Sequence, residues 1–329
     1  MRRFLNQPLA IGSEITLEDE DYNYIARVLR SREGDAITLF NGEGGEYHGI
    51  ITEIAKRHLT VKLRKYNPID RISSVEIHLI QSLAKGEKME LVLQKSTELG
   101  VTSITPLATE RSVMHLKKDQ TEKRVERWNN IITSACEQCG LNIPPTLHEP
   151  ITLEKWAQEV LPHLDTTLIT LAPTAKHSLG SFLKTLKMCE EMPDEAEADL
   201  PQVAVFSCID EEPILLEPYH DIESESEAEL EERILEIQAQ AKNDEALEAA
   251  EASLLKPRSI TIIIGPEGGL SDFEIDLLQK SGANSVTLGA RILRTETATL
   301  SVISTIQGLI GDWSEETDMH DEDPFDDEP

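Results

Sequence analysis

The sequence lacks the features of a membrane protein, an exported protein or a disulfide-stabilised scaffold. Its longest apolar runs, such as residues 260–264, are far too short to cross a bilayer, and no basic start followed by an apolar stretch marks a secretory leader. The 329 residues contain four cysteines, too few for a disulfide framework. These absences predict a soluble, cytoplasmic protein, and the length allows two domains.

Complete metal-ligand patterns are also missing. Cys136 and Cys139 have the spacing of half a zinc site or a redox pair, but no second CxxC and no HxxxH supplies the remaining ligands. Together with Trp128, Ile132 and Ala135, they continue one apolar face of a helix. We therefore interpret both cysteines as core residues and predict no bound metal.

Basic residues are in a minority, and the formal net charge is −30. Residues 187–256 hold 22 acidic and 4 basic residues, and residues 312–329 hold 10 acidic residues and no lysine or arginine. The rest of the chain is close to neutral, at −2, and carries 27 of the 31 basic residues. Because the acidity is confined to one internal segment and one tail, it does not exclude a nucleic-acid partner for the rest of the protein.

Residues 1–70 are predicted to form a small β-rich unit. Three short apolar runs indicate strands, at 36–40, 47–52 and 59–63. One helix is expected before them, with Thr16 as its N-cap and Asp19 in the capping-box position. Arg27 and Arg30 lie one turn apart near the end of this predicted helix.

From residue 71 strands alternate with helices, which favours an α/β fold with a parallel sheet covered on both faces. The predicted strands are 75–80, 101–107, 168–172, 259–264 and 285–288. The predicted helices are 87–99, 120–139, one that begins at a capping box of Ser271 and Glu274, and about 298–309. Gly100 stands where a helix-terminating glycine belongs.

The acidic segment 187–256 interrupts this alternation. Residues 203–209 are compatible with an extra edge strand, and residues 223–255 with a solvated helix or with disorder. We therefore predict, after the N-terminal unit, a second domain over 71–311 that contains an acidic insertion. The tail 312–329 is predicted to be disordered.

Three connections between a strand and a helix carry residues suited to a ligand site. The turn Gly265–Gly269 follows a buried strand, and its glycines leave bare backbone that a ligand can approach closely. Segment 288–297 carries Arg291 and Arg294 among small and hydroxyl residues, and 171–175 is a third such exit. No GxGxxG or GxxxxGK[ST] pattern occurs, which disfavours dinucleotide and P-loop sites.

The Gly265–Gly269 turn, followed by Leu288-Gly289 and by Leu293-Arg-Thr-Glu-Thr297, resembles the signature of the RsmE family. These are uridine-N3 methyltransferases of small-subunit ribosomal RNA, within the SPOUT superfamily. Earlier segments agree with that family in order and spacing: Val28-Leu-Arg30 with Gly34-Asp35, Lys85–Glu90, Gln94–Gly100 and Ala135–Gly140. The resemblance covers about residues 1–186 and 257–311, so the acidic insertion is the large departure from the family.

The resemblance implies an α/β fold of SPOUT type: a mostly parallel sheet with a trefoil knot, a rare exception to the usual connection rules, and a small N-terminal PUA-like β-barrel for RNA. It also implies a homodimer with S-adenosylmethionine bound in the knot. The cofactor-binding residues carried over by position are Leu171, Ala172, Pro173, Gly265, Pro266, Glu267, Gly268, Gly269, Leu288, Gly289, Ile292 and Leu293. The insertion lies between the first two of these loops, so it puts access to the site in question.

Methyl transfer from a sulfonium to uridine N3 depends on alignment, so a pocket built largely from backbone is sufficient. The N3 proton must leave, which places negative charge on the ring. Arg294 is the candidate that stabilises this charge, and Glu296 is the candidate that accepts or orients the proton. A structural ion pair between Arg294 and Glu296 is the alternative interpretation.

Basic residues at loops and helix ends of the near-neutral body are the candidates for RNA contact. They are Arg2, Arg3, Arg27, Arg30, Lys85, Lys88, Lys95 and Arg111. Taken singly, each is more readily explained as a solvated surface charge. The aromatic content of 4% disfavours base stacking as the dominant mode of binding.

The sequence thus predicts a homodimeric enzyme that transfers a methyl group from S-adenosylmethionine to N3 of a specific uridine in 16S rRNA of the small ribosomal subunit. Two alternatives stay open. The same fold could methylate another RNA atom, such as a ribose 2′-oxygen, or the protein could be a non-catalytic RNA-binding factor in ribosome assembly.

Overall fold

Two β-sheets organise the residues that the computed structural model describes, which are 1–112, 118–190 and 258–314. The predicted strand at 203–209, the predicted helix at 223–255 and the tail from residue 315 lie outside these ranges. All described residues belong to one compact unit of the chain.

The N-terminal sheet has five strands: β1 (Arg2–Phe4), β2 (Glu14–Glu18), β3 (Ala36–Phe40), β4 (Glu46–Ile54) and β5 (His58–Asn67). Their order is β1-β3-β4-β5-β2, with β1 parallel to β3 and the other pairs antiparallel. Side chains alternate along β5, so Leu59, Val61 and Leu63 are buried while Lys62 and Arg64 are exposed. The buried residues form one core, around which the sheet curls as expected of a small barrel.

The helical segment of this unit differs from the prediction. Thr16 lies inside β2, where it pairs with Thr60 of β5, so it is a strand residue and does not cap a helix. Helix α1 (Asp19–Tyr22) begins later and continues as a π-helical turn over Asn23–Val28. Ile25 is buried, but Leu29 is 44% exposed. Arg30 lies beyond the helix with a φ of 58°, so Arg27 and Arg30 do not share a helical turn.

The second sheet has eight strands: β6 (Val75–Ser82), β7 (Ser103–Ala108), β8 (Thr146–Leu147), β9 (Ile151–Thr152), β10 (Thr167–Leu171), β11 (His177–Ser178), β12 (Arg258–Ile264) and β13 (Asn284–Thr287). Their order is β11-β13-β10-β12-β6-β7-β8, with β9 beside β7. Every pair is parallel, which confirms the predicted parallel sheet. The last strand, β13, lies between β11 and β10, although both precede it in the chain.

Helices cover both faces of this sheet. Within the described ranges they are α2 (Glu87–Glu98), α3 (Lys118–Cys139), α4 (Leu153–Glu159), α5 (Leu179–Glu190), α6 (Asp272–Lys280) and α7 (Thr295–Ile310). On one face α2, α3, α5 and α7 pack on the sheet, with Trp128 and Val302 in the same core as Ile262. On the other face, Trp156 of α4 shares a core with Ile263 and with residues of α6. Neighbouring isoleucines of β12 therefore serve opposite faces.

Several helix signals predicted from the sequence are confirmed. Ser271 Oγ accepts a hydrogen bond from Glu274 N at 3.3 Å, and Ser271 N donates to Glu274 Oε2 at 2.7 Å, which is the predicted capping box. Gly100 ends α2 with a φ of 78°. Cys136 lies fully buried on the apolar face of α3, and burial raises the pKa of its thiol to about 12. No helix in the described ranges is long and apolar enough to cross a membrane.

An ionic cluster around the buried carboxylate of Glu46 joins the N-terminal sheet to the loop after α3. We call Arg2, Glu46, Arg71 and Asn142 the junction cluster. Arg2 pairs with Glu46 and bonds to Asn142, while Arg71 Nη1 donates to Glu46 Oε2 at 2.9 Å. The Glu46 residue is 3% exposed. Burial alone would raise the pKa of Glu46, but hydrogen bonds from Arg71 and Arg2, and their charges, lower it to about 2. The cluster therefore ties the N-terminal sheet to the loop after α3, through hydrogen bonds that Arg2 and Glu46 make with Asn142.

Candidate functional site

The three predicted ligand loops meet at one edge of the parallel sheet. Strand β10 lies between β12 and β13, so the carboxyl ends of these three strands are adjacent. Ala172 N, just after β10, donates to Val286 O of β13 at 3.0 Å. Residues 171–173, 265–269 and 288–293 therefore leave the sheet side by side, at the edge where α/β proteins bind ligands.

Bare backbone faces open space in two of these loops. The turn after β12 is closed by a hydrogen bond from Gly269 N to Pro266 O at 2.9 Å. Gly269 has a φ of 71° and Gly289 a φ of 97°, and a Cβ added at either would meet no atom within 4 Å. Both positions thus require glycine for their conformation, and both leave room for a ligand against the main chain. Gly268 differs, because a Cβ there would lie 3.5 Å from Arg111 Cβ.

Side chains around these loops are apolar in part. Ile292 is 86% exposed, and Leu171, Leu288 and Leu293 are half-buried. Exposed apolar surface beside bare backbone suits a ligand that has an apolar or aromatic part and needs close main-chain contacts. Among the described residues, no group of three or more histidine, cysteine, aspartate or glutamate side chains could hold a metal ion.

Charged side chains gather at the mouth of the glycine turn. Lys88 of α2 forms an ion pair with Glu267, and its Nζ lies 3.8 Å from Glu296 Oε2. The hydrogen bond and charge of Lys88 lower the pKa of Glu267, with smaller contributions from Arg294 and Lys85. Glu267 was predicted as a cofactor residue and Lys88 as an RNA residue, and the structure pairs the two.

Glu296 and Arg294 lie together at the start of α7 but are not paired with each other. Arg294 is the exposed N-cap residue, and Glu296 is in the first turn, where the helix dipole favours a carboxylate. The Glu296 side chain is 14% exposed, and its Oε2 is buried without a hydrogen-bond partner among the described residues. The cation that pairs with this carboxylate is Lys88. The ion pair between Arg294 and Glu296, which was the alternative interpretation, is therefore not among the contacts of the described residues.

Family models cover most of the chain. An RNA methyltransferase domain matches residues 71–196 and 218–307, and an RNA methyltransferase PUA domain matches residues 17–64. Sixteen curated proteins match, among them those named ribosomal RNA small subunit methyltransferase E. The chain belongs to this RNA methyltransferase family. The domain model leaves residues 197–217 of the acidic segment unmatched.

Individual relatives span nearly the whole chain. The ribosomal RNA small subunit methyltransferase E of Buchnera aphidicola (subsp. Schizaphis graminum) is 27% identical over 95% of this chain and 98% of that protein. The enzyme of the same name from Bacillus subtilis is 25% identical over 91% and 92%. These matches confirm the RsmE family that the motifs indicated.

Solved structures agree. A Legionella pneumophila protein described as a methyltransferase and solved with the cofactor SAM has a TM-score of 0.67 and 30% identity, over 94% of this chain and 98% of that one. The Neisseria gonorrhoeae ribosomal RNA small subunit methyltransferase E, bound to S-adenosyl methionine, has a TM-score of 0.66 and 27% identity, over 95% and 98%. With the parallel sheet and the curled N-terminal sheet, they confirm the SPOUT-type fold class with its PUA-like domain.

Several of the basic residues predicted to bind RNA have partners inside the protein. Arg2 belongs to the junction cluster, and Arg3 pairs with Asp21 at 2.5 Å and with Glu137 at 3.2 Å. Lys95 Nζ lies 2.8 Å from Glu98 Oε1. Arg111 donates a hydrogen bond to Gly268 O of the glycine turn, and Lys88 pairs with Glu267 of the same turn. The remaining three candidates are exposed: Arg27, Arg30 and Lys85.

A buried polar pair beneath the site was missed by the sequence analysis. Thr299 of α7 donates its hydroxyl proton to Gln81 Oε1 at 2.7 Å, and Gln81 Nε2 donates to Ser82 O at 3.1 Å. Gln81 and Thr299 are fully buried. They tie the end of β6 to the helix that carries Glu296. The sequence does contain a signal for this pair, because polar residues end the otherwise apolar strand β6. Buried polar groups in such a position need hydrogen-bond partners.

Proposed function

We propose that this protein transfers the methyl group of S-adenosylmethionine to N3 of a uridine in small-subunit ribosomal RNA. Membership of the family and the meeting of three loops at one sheet edge support the proposal. The observation that carries it is the bare backbone at Gly269 and Gly289, which opens onto free space at that edge. We place this activity in the cytoplasm, where ribosomal subunits are assembled.

The loops fit the cofactor. S-adenosylmethionine supplies, when bound, an electrophilic methyl group on a sulfonium centre. The main chain of 265–269 and 288–293 would hold its polar groups, with Leu171, Ala172 and Pro173 closing the third side. The exposed side chain of Ile292 would cover the apolar surface of the ligand. Such a site orients the methyl group towards the incoming base, which is the main requirement of an in-line transfer.

Glu296 is the residue proposed to accept the proton. In the reaction a bond forms between uridine N3 and the methyl carbon, the bond from that carbon to sulfur breaks, and the N3 proton leaves. The Oε2 atom of Glu296 is buried and accepts no hydrogen bond from the described residues, so it is available to accept that proton. The Nζ atom of Lys88 lies 3.8 Å from the same oxygen.

Arg294 is the residue proposed to stabilise the charge that develops on the base. Loss of the N3 proton shifts negative charge onto the uracil carbonyl oxygens. Arg294 is exposed at the N-terminus of α7, two residues before Glu296. A guanidinium beside the base stabilises that charge through hydrogen bonds present before the reaction begins.

Nucleoside mass spectrometry tests the proposed reaction. Small-subunit RNA is incubated with the protein and methyl-labelled S-adenosylmethionine, digested to nucleosides and separated. We expect label in N3-methyluridine. Label in a 2′-O-methylated nucleoside would assign the transfer to the ribose, and cofactor binding without any labelled nucleoside would favour the non-catalytic RNA-binding alternative.

We further propose that the active form is a homodimer that binds small-subunit RNA. Large apolar side chains are exposed at separate places on the described surface: Ile292 is 86% exposed, and Phe273 and Trp313 are each 58% exposed. Because single exposed apolar side chains are common on protein surfaces, the proposal of a dimer rests mainly on the resemblance to the RsmE family. Light scattering on the purified protein should give twice the mass of the chain, and a mass of one chain would exclude the dimer.

A further inference from the structure

A tight turn after β7 lies against the glycine turn of the proposed cofactor site. This bracing turn, Thr109–Ser112, is closed by a hydrogen bond from Ser112 N to Thr109 O at 3.1 Å. The hydroxyl oxygens of Thr109 and Ser112 lie 2.7 Å apart, and both residues are buried. Because the turn is held by its own hydrogen bonds, the groups that it presents to its neighbours have defined positions.

Arg111 contacts the glycine turn with both its charged head and its stem. Its Nη1 donates to Gly268 O at 3.2 Å and to Leu270 O at 3.0 Å. Its aliphatic stem lies beside Gly268, where an added Cβ would be 3.5 Å from Arg111 Cβ and 3.7 Å from Cδ. A guanidinium has several donors in a rigid plane, so it suits two neighbouring carbonyl oxygens better than a lysine ammonium does.

The bracing turn donates a second hydrogen bond, to the helix that follows the glycine turn. Glu110 N donates to Glu274 Oε1 at 2.9 Å, and the other oxygen of that carboxylate accepts from Ser271 N at 2.7 Å. Glu274 is fully buried. The bracing turn therefore donates to carbonyl oxygens at one end of the stretch 268–274 and to a buried carboxylate at the other.

We propose that Arg111 is a positioning residue that holds the Gly265–Gly269 turn in the conformation that binds the cofactor. The inference rests on the proposed function, because it assigns that turn to S-adenosylmethionine. Glycines give an unrestrained turn many conformations. Two charge-assisted hydrogen bonds from Arg111 restrict them before the ligand arrives, so less ordering entropy is lost on binding. The prediction that Arg111 contacts RNA is the competing assignment.

The test compares cofactor affinity in matched variants by calorimetric titration. Arg111→Ala should weaken S-adenosylmethionine binding by roughly tenfold, because two hydrogen bonds from a charged donor are lost. Arg111→Lys can keep the charge but not both bonds, so roughly a threefold weakening is expected. Arg127→Ala is the control, since Arg127 is also an arginine with an internal partner, Glu90, and lies outside the proposed site. The affinity of Arg127→Ala for S-adenosylmethionine should equal that of the wild type.

Two further readouts separate positioning from a structural role and from RNA contact. In the cofactor-free protein, the amides of 265–271 should exchange with deuterium faster in Arg111→Ala than in the control. In turnover, the KM for the cofactor should rise while kcat at saturating cofactor stays close to that of the wild type. The salt dependence of RNA binding should not change.

Defined results would overturn the inference. Unchanged cofactor affinity and unchanged exchange in Arg111→Ala would remove the positioning role, as would a loss of affinity that only follows a loss of folded protein by circular dichroism. A salt slope of RNA binding that falls by about one unit, with cofactor affinity intact, would assign Arg111 to a phosphate. If the wild type does not bind the cofactor, the proposed function fails, while the exchange experiment still tests the contact between the turns.

Discussion

Replacement of Glu46 by glutamine should expose how strongly the junction cluster stabilises the protein. The substitution keeps the shape of the side chain and removes its charge, so Arg2 and Arg71 lose their common counter-charge. The pKa of Glu46 is lowered from its ordinary 4.5 to about 2, and each pKa unit corresponds to about 1.4 kcal/mol. The ionised carboxylate therefore contributes roughly 3 kcal/mol to the free energy of unfolding near neutral pH.

The sign of the pH dependence follows from the lowered pKa. A carboxyl group that is more acidic in the folded protein stabilises it above the unfolded pKa, and this contribution is lost as the pH falls through the folded pKa. For Glu46 the window runs from 4.5 down to about 2. Between pH 7 and pH 3.5, protonation of Glu46 should lower the free energy of unfolding of the wild type by about 1.4 kcal/mol. Glu46→Gln lacks this carboxyl group and should not show that loss.

Denaturant unfolding at pH 7 and pH 3.5 measures both quantities. Glu53→Gln is the matched control, because Glu53 is an exposed glutamate on the same strand, β4. We expect Glu46→Gln to be destabilised at pH 7 by about 3 kcal/mol and to lose less further stability in acid than the wild type. Equal stability of Glu46→Gln and Glu53→Gln at pH 7, or parallel losses in acid, would refute the reasoning.

The remaining predictions concern the site and the RNA surface. Arg294→Ala should lower the rate at saturating RNA by roughly 100-fold with little change in cofactor affinity; a collapse of cofactor binding in calorimetry would instead make Arg294 a support of the loop. Glu296→Gln should lower kcat while S-adenosylmethionine still binds, and a wild-type kcat would exclude Glu296 as the base. Replacing Arg27 and Arg30 together by alanine should reduce the salt slope of RNA binding by up to about two units, whereas an unchanged slope would remove both residues from the interface.

Much of the fold follows from the sequence because its signals are local. The predicted strand 259–264 and helix 87–99 agree with β12 and α2 to within one residue, since apolar runs and helix ends depend on nearby residues. Thr16 shows where this fails. Its capping-box spacing is real, but pairing with Thr60 places it in a strand, and that partner is distant in sequence.

The candidate site could be predicted in part, and the remainder depends on partners that are distant in the chain. The three loops were identified because each follows a predicted strand, and the strand order brings them together. The roles of charged residues were harder to assign, since a lone arginine has the same appearance in a sequence whether it faces solvent or a carbonyl oxygen. Arg111 and Gly268 are 157 residues apart, and no local pattern connects them.

These internal partners reduce the number of predicted cations that are free to contact RNA. Five of the eight predicted RNA-contacting cations are engaged inside the protein: Arg2, Arg3, Lys88, Lys95 and Arg111. The net charge of −30 lies almost wholly in residues 187–256 and 312–329, and other cations of the near-neutral body, such as Lys62, Arg64 and Arg291, are exposed. Contacts to phosphate are therefore to be sought among these exposed cations as well as at Arg27, Arg30 and Lys85.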